Sequence, residues 1–298
     1  MQINAIYTRS VIQTMAGKAI RDLRSGGERE LRNVVELCKG CPAPPGCQKF
    51  WSLLENILHR PGQQYGALLS RAAKDVDINC LKTLIANLGL PAYSDGSQML
   101  QDSRKSRTPP AYWMEPLDET MEPDTLHQTI SRFQNLGTSS FLFRAERDAA
   151  LETILNIAAK HRQCVFFLIC RAGICCQAHL EDMTALGNVI PLIGYEDLPA
   201  MAASLKQAGI LFGLHRRYCE IESLQAEETL LHQCIEMGCF LGVYEGTRHD
   251  ACSRQDLVYY AKLQEIRCSG TQEIFLADLW RDREAVQNLL LKQRSGGT

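Results

Sequence analysis

The spacing of apolar residues along this chain changes once, near residue 110. Before that point the period is helical. Ile12, Met15 and Ala19 recur on one face, so residues 1–37 read as helix. A Pro/Gly-rich loop, Cys38 to Cys47, interrupts the pattern. Phe50–Leu58 restarts a helix and Pro61-Gly62 stops it. Helices are expected at Tyr65–Ala73 and Asn79–Leu88, followed by a polar linker over 94–110 that ends in Pro109-Pro110. From Ala111 onward, short apolar runs alternate with helical segments. The runs predict strands at Ala111–Glu115, Ser139–Phe143, Cys164–Ile169, Val189–Gly194, Ile210–Leu214, Phe240–Tyr244 and Glu273–Leu276. Helices are expected between them, among them Pro123–Asn135, Ala149–His161, Glu227–Met237 and Arg254–Ile266. Apolar strands separated by helices imply a parallel sheet covered on its outer face. Six or seven such units suit an incomplete barrel better than a Rossmann sheet, and no G-x-G-x-x-G follows the first strand. The expected fold class is α/β: an incomplete TIM-like (β/α)6-7 barrel of parallel strands over 111–298, with an N-terminal helical extension and Cys-rich loop over 1–110.

Composition narrows the function classes. With 298 residues, 45% of them hydrophobic, the chain can bury a full core. Its net charge is −2 and the two signs are interspersed, so no electrostatic case exists for a nucleic-acid or membrane-surface partner. Met1–Arg9 has no signal-peptide core, and the longest apolar run, Cys164–Cys170, is too short to span a bilayer. A soluble, cytoplasmic protein is expected. Thirteen cysteines, an odd number scattered through helices and strands, do not form a secreted disulfide framework. Most are expected to act as small buried hydrophobes.

Three groups of residues could carry chemistry. Cys38, Cys41 and Cys47 have a Cys-x2-Cys-x5-Cys spacing that can hold an iron–sulfur cluster or zinc, with Cys80 or another chain as a fourth ligand; a chance grouping of thiols is the other reading. Cys170, Cys175 and Cys176 follow the third strand, where thiols could bind metal or sense redox state, or simply be buried. The third group is charged and falls at the expected C-terminal strand ends, the face that carries active sites in barrels. It comprises Glu115, Asp118, Arg144, Glu146, Arg171, Glu196, Asp197, His215, Arg216, Glu245, Arg248, His249 and Asp278. Such a mixture can bind an anionic small molecule, or it can pair with itself as a plug. Tyr112, Trp113, Tyr259 and Tyr260 are expected to pack rather than to cage a ligand.

The stretches Cys164–Ile169, Leu186–Pro191 and Ile193–Asp197 resemble the middle of a radical S-adenosylmethionine (radical SAM) barrel. Ala208–Gly213 and Glu236–Cys239 continue the resemblance, and His59-Arg-Pro-Gly and Asp77–Leu84 extend it upstream, so that it covers about residues 55–285. In that superfamily the loop after the first strand carries Cys-x3-Cys-x2-Cys, which binds a [4Fe–4S] cluster, and the second strand ends in Gly-Gly-Glu-Pro beside the cofactor. Here the first strand runs into Leu117-Asp-Glu-Thr-Met121, without cysteine. The second ends in Arg144-Ala-Glu-Arg147, where Glu146 alone matches. An arginine at a close-approach glycine position adds bulk and charge where a sulfonium would lie. The resemblance therefore implies a degenerate member to which S-adenosylmethionine is not expected to bind. It would serve as a non-catalytic binding or regulatory scaffold, or as the partner subunit of an active radical SAM enzyme or of a second copy. The alternative is an iron–sulfur or metal-dependent enzyme using the N-terminal cysteines or a rebuilt mouth. Arg144, Glu146 and Glu196 are the expected mouth residues, with Arg144 pairing to Glu115, Glu146 or Glu196.

Overall fold

Most of the strands are short and apolar on both faces, so neither face of the sheet can be left to water. A computed structural model, which describes residues 2–25, 64–93, 96–105, 111–246 and 254–292 with positions 33, 36, 55 and 62, shows how both are covered. Helix α1 (Gln2–Ser25) is followed by α2 (Tyr65–Asp75), α3 (Ile78–Tyr93) and α4 (Gly96–Lys105). The βα region then runs β1 (Met114–Pro116), α5 (Pro123–Asn135), β2 (Ser140–Ala145), α6 (Asp148–Lys160), β3 (Val165–Cys170), α7 (Gln177–Leu186), β4 (Val189–Gly194) and α8 (Leu198–Gln207). It continues with β5 (Gly213–Arg217), α9 (Leu224–Met237), β6 (Leu241–Glu245), α10 (Arg254–Ser269), β7 (Phe275–Asp278) and α11 (Arg281–Lys292). All neighbouring strands are parallel and lie in chain order, β1 to β7. This is a curled half-barrel with its connecting helices outside, the incomplete TIM-like barrel expected.

Side chains alternate between two cores. Phe141, Phe143, Phe166, Leu168, Ile193, Leu214, Tyr244 and Leu276 face the helices and pack on Leu151, Ile154, Met183 and Leu205. Their alternates, Leu142, Val165, Ile190, Leu192 and Val243, fill the barrel interior. Leu84 of α3 enters that interior core and closes its base. Helix α3 is fixed there by Asn87, whose amide donates to the carbonyls of Arg162 and Cys164, both at 2.9 Å. In turn α1 lies along α2 and α3, where Arg24 donates to the carbonyls of Ala73 and Val76. Gly187 and Gly238 end α7 and α9 in the left-handed region, at φ 65° and 100°, which a side chain would strain.

Some expectations shift. Ala111–Trp113 precede the first strand instead of belonging to it, because α11 occupies their backbone groups. Ile210 and Phe212 are buried in the outer core ahead of β5, whose ladder begins at Gly213. The expected linker contains α4, held by the fully buried Leu100 and by Ser103, whose hydroxyl accepts the Ala111 N–H at 3.1 Å. The pattern did not call for α11, whose sequence is mostly polar. The expected Phe50–Leu58 helix and the Cys38–Cys47 loop lie outside the described residues, Glu55 aside. Among the described residues no helix is long and apolar enough to cross a membrane.

Helix α11 closes the side of the half-barrel. Arg283 donates to the Met114 carbonyl at 2.7 Å and to Glu115 at 2.6 Å, and lies over the Tyr112 ring. Gln287 accepts the Trp113 N–H and donates to the Ala111 carbonyl, both at 3.0 Å. Burial pushes the Glu115 carboxyl up, and Arg283 only partly offsets this. Arg283→Ala should therefore cost roughly 2–4 kcal/mol, since it strands a buried carboxylate and frees an edge carbonyl. Urea unfolding measures this, with Lys18→Ala as an exposed-pair control expected to change stability by less than about 1 kcal/mol.

Candidate functional site

Strand alternation decides which charged residues reach the barrel mouth. Arg144 follows Leu142 by two on β2, and Glu245 follows Val243 by two on β6, so both continue the inward-facing rows. His215 pairs in register with Gly194 and Val243 and faces the same way. Arg144 Nη2 lies 2.5 Å from both oxygens of Glu245, and His215 Nε2 lies 3.2 Å from Oε2. The bridge crosses the mouth from the second strand to the sixth. It is graded in exposure: the Arg144 side chain is 44% exposed, Glu245 14% and His215 10%. Beside it, the point where a Gly194 Cβ would stand has no atom within 4 Å, so the mouth keeps open space next to His215. Burial alone would push the Glu245 carboxyl up. The hydrogen bonds and charges of His215 and Arg144 outweigh burial and hold it down at about 2.

Arg144 therefore pairs with Glu245 and not with Glu115, Glu146 or Glu196. Glu115 sits one residue out of phase and faces α11, where Arg283 takes it. Glu146 lies exposed past the end of β2. Glu196 is exposed in the bend after β4. Strand parity excludes Glu115 but not Glu146 or Glu196, which share the parity of Glu245; the reach of Arg144 across the curled sheet is what selects Glu245.

The remaining candidates separate. Arg216 and Asp278 point outward. Arg216 reaches Glu227 at 3.2 Å, and Glu227 accepts the Tyr244 hydroxyl at 2.5 Å. Asp278 accepts the Tyr218 hydroxyl at 2.8 Å and pairs with Arg281 at 3.0 Å. Asp118 is taken up by Thr120, Asp197 precedes α8, and Arg171 is exposed after β3. Arg248 and His249 lie outside the described residues. Tyr112, Trp113, Tyr259 and Tyr260 do pack. Trp113 donates its indole N–H to the Arg283 carbonyl, Tyr259 reaches the Ile221 carbonyl, and Tyr260 reaches Asp282.

The thiols after β3 diverge. Cys170 is buried, and burial with nearby Cys175 and Asp197 pushes it up. Cys175 is half-buried and pushed up to about 11 by burial and by Cys176. Cys176 is exposed ahead of α7, with Sγ 3.4 Å from His179 Nδ1. Cys80 is buried, donates to the Thr184 carbonyl at 3.4 Å, and is pushed up to about 12 by burial and by Asp77. Among the described residues no group of three or more His, Cys, Asp or Glu could hold a metal; Cys38, Cys41 and Cys47 lie outside them. At the base, His161 accepts or donates at 2.8 Å to His127 and at 2.7 Å to Gln134. Burial, His127 and Lys160 push it down to about 4, so His161 is held neutral near neutral pH.

Fold and mouth together define an incomplete TIM-like barrel with an ion-paired C-terminal face. No family model and no curated protein matches the chain. Solved structures similar to it include an uncharacterised protein from Parabacteroides distasonis, at TM-score 0.33 and 12% identity over 61% of this chain and 80% of that one. They also include a mandelate racemase/muconate lactonizing enzyme candidate from Sorangium cellulosum, at TM-score 0.33 and 12% identity over 71% of this chain and 66% of that one.

The Glu245 pair makes a pH prediction. Its folded value, about 2, is below the ordinary 4.5, so its stabilisation is complete above about pH 4.5 and lost as pH falls toward 2. Urea midpoints of wild type and Glu245→Gln should differ at neutral pH and converge across that acid window. A difference that persists unchanged through it would show that the carboxylate charge does not matter.

Proposed function

We propose that this chain is a degenerate radical SAM-like barrel that works as a binding or regulatory scaffold and does not cleave S-adenosylmethionine. The observation that carries the reading is the Arg144–Glu245 bridge across the mouth. In the resemblance, Arg144 stands at the first glycine beside the cofactor. A guanidinium held there repels a sulfonium and occupies its space. The residues also do not fit the cluster that would anchor the cofactor, since Leu117–Glu122 after β1 offers carboxylates and no thiolate. No chemical step is therefore routed through that cofactor. The partner is an active radical SAM enzyme or a second copy of this chain, with the mouth open to an anionic small molecule beside Gly194 and the exposed Arg171.

Calorimetry on anaerobically reconstituted protein should give no saturable binding of S-adenosylmethionine. Arg144→Gly should lower stability without restoring binding, because it leaves Glu245 short of its main cation while the cysteine loop stays absent. Tight binding, or release of 5′-deoxyadenosine under reduction, would sink the proposal.

A second reading is favoured by the Cys38, Cys41 and Cys47 spacing: an iron–sulfur or zinc site in the extension, supporting a metal-dependent enzyme. Iron, sulfide and zinc are measured after anaerobic purification. The triple Cys→Ser variant should lose the metal and keep the barrel's circular dichroism. Metal content unchanged in that variant would place the metal elsewhere.

A further inference from the structure

Gly17 is buried in the middle of α1, where alanine would be the more favourable helix residue. Its surroundings supply a reason. A Cβ at Gly17 would stand 2.6 Å from Lys82 Cε, 3.4 Å from Lys82 Nζ and 3.8 Å from Arg21 Nη1. Two cations, one from α3 and one from α1, thus converge on a single point that only a glycine leaves free. Neither makes an ion pair or hydrogen bond among the described residues. Among the described acids of these elements, Asp22 on α1 pairs with Lys18 at 2.5 Å, and Asp77 ahead of α3 accepts the backbone N–H groups of Asn79 and Cys80.

The two cations line an open groove of about 400 Å³, together with Gln13, Thr14, Asn79 and Thr83, and no carboxylate lines it among the described residues. Like charges held this close repel, and an anion placed between them replaces that repulsion with two attractions. A guanidinium and an ammonium with hydroxyl and amide donors around them match the several oxygens of a phosphate. The volume is that of a small-molecule site. We propose that the α1–α3 groove binds a small phosphate-bearing molecule, with Arg21 and Lys82 as its cationic ligands and Gly17 as the residue that makes room. The site is independent of the reading of the barrel.

The test uses the full chain, titrated calorimetrically with inorganic phosphate, ionic strength being held constant with chloride. Saturable one-site binding is expected. The double variant Arg21→Gln/Lys82→Gln should weaken it by about tenfold or more. Gly17→Ala should also weaken it while leaving or raising the thermal midpoint, because the new methyl displaces Lys82 and alanine favours the helix. That opposition of binding and stability would not arise if Gly17 merely let two helices pack. No phosphate heat beyond that of chloride, or undiminished affinity in a folded double variant, would overturn the assignment.

Discussion

A parallel sheet that curls without closing leaves two edge strands, and their backbone groups must find partners or water. In this protein one helix serves both edges. At β1, the side chains of Arg283 and Gln287 stand in for a neighbouring strand, meeting the Trp113 N–H and the carbonyls of Ala111 and Met114. At β7, Asp282 accepts the Asp278 N–H at 2.7 Å and is held by Arg267 at 2.5 Å. The same helix therefore ties the first strand to the last. It also commits Glu115 to the outer face, which removes that carboxylate from the mouth.

Once the sheet is curled, alternation sorts the strand-end charges into two systems. The outward system joins Arg216, Glu227 and Tyr244 on one side and Tyr218, Asp278 and Arg281 on the other, linking strand residues to the helix layer. Burial and their acidic partners push the Tyr218 and Tyr244 hydroxyls up, so both act as neutral donors. Such satisfied buried networks hold the frame in one arrangement. The inward system is Arg144, Glu245 and His215, and it meets solvent at the Arg144 end.

The helical extension acts on the opposite end. Leu84 enters the interior core from below, and Arg71 anchors α2 by donating to the carbonyls of Cys239 and Glu273 while lying over the Phe240 ring. With the base covered, the inward-facing charges of the barrel gather at its C-terminal mouth. The extension carries its own concentration of charge on a different surface, at the α1–α3 groove.

Much of this architecture was legible in the sequence. Apolar runs separated by helical periods determine a covered parallel sheet, because no other arrangement buries both faces of such strands. Pro123–Asn135 and Val189–Gly194 stand where the pattern places them. The polar α11 was not legible, because its role comes from the edge of a distant strand and not from an apolar stripe of its own. The candidate site was half legible. The sequence by itself determined that Arg144, His215 and Glu245 fall at strand ends and that the loop after β1 lacks cysteine. It did not determine which acid Arg144 meets, since Glu115, Glu146, Glu196 and Glu245 are chemically alike. Only the tertiary structure decided that, because the curl of the sheet brings the second strand within reach of the sixth, and the pleat turns Glu245 inward while Glu115 faces out.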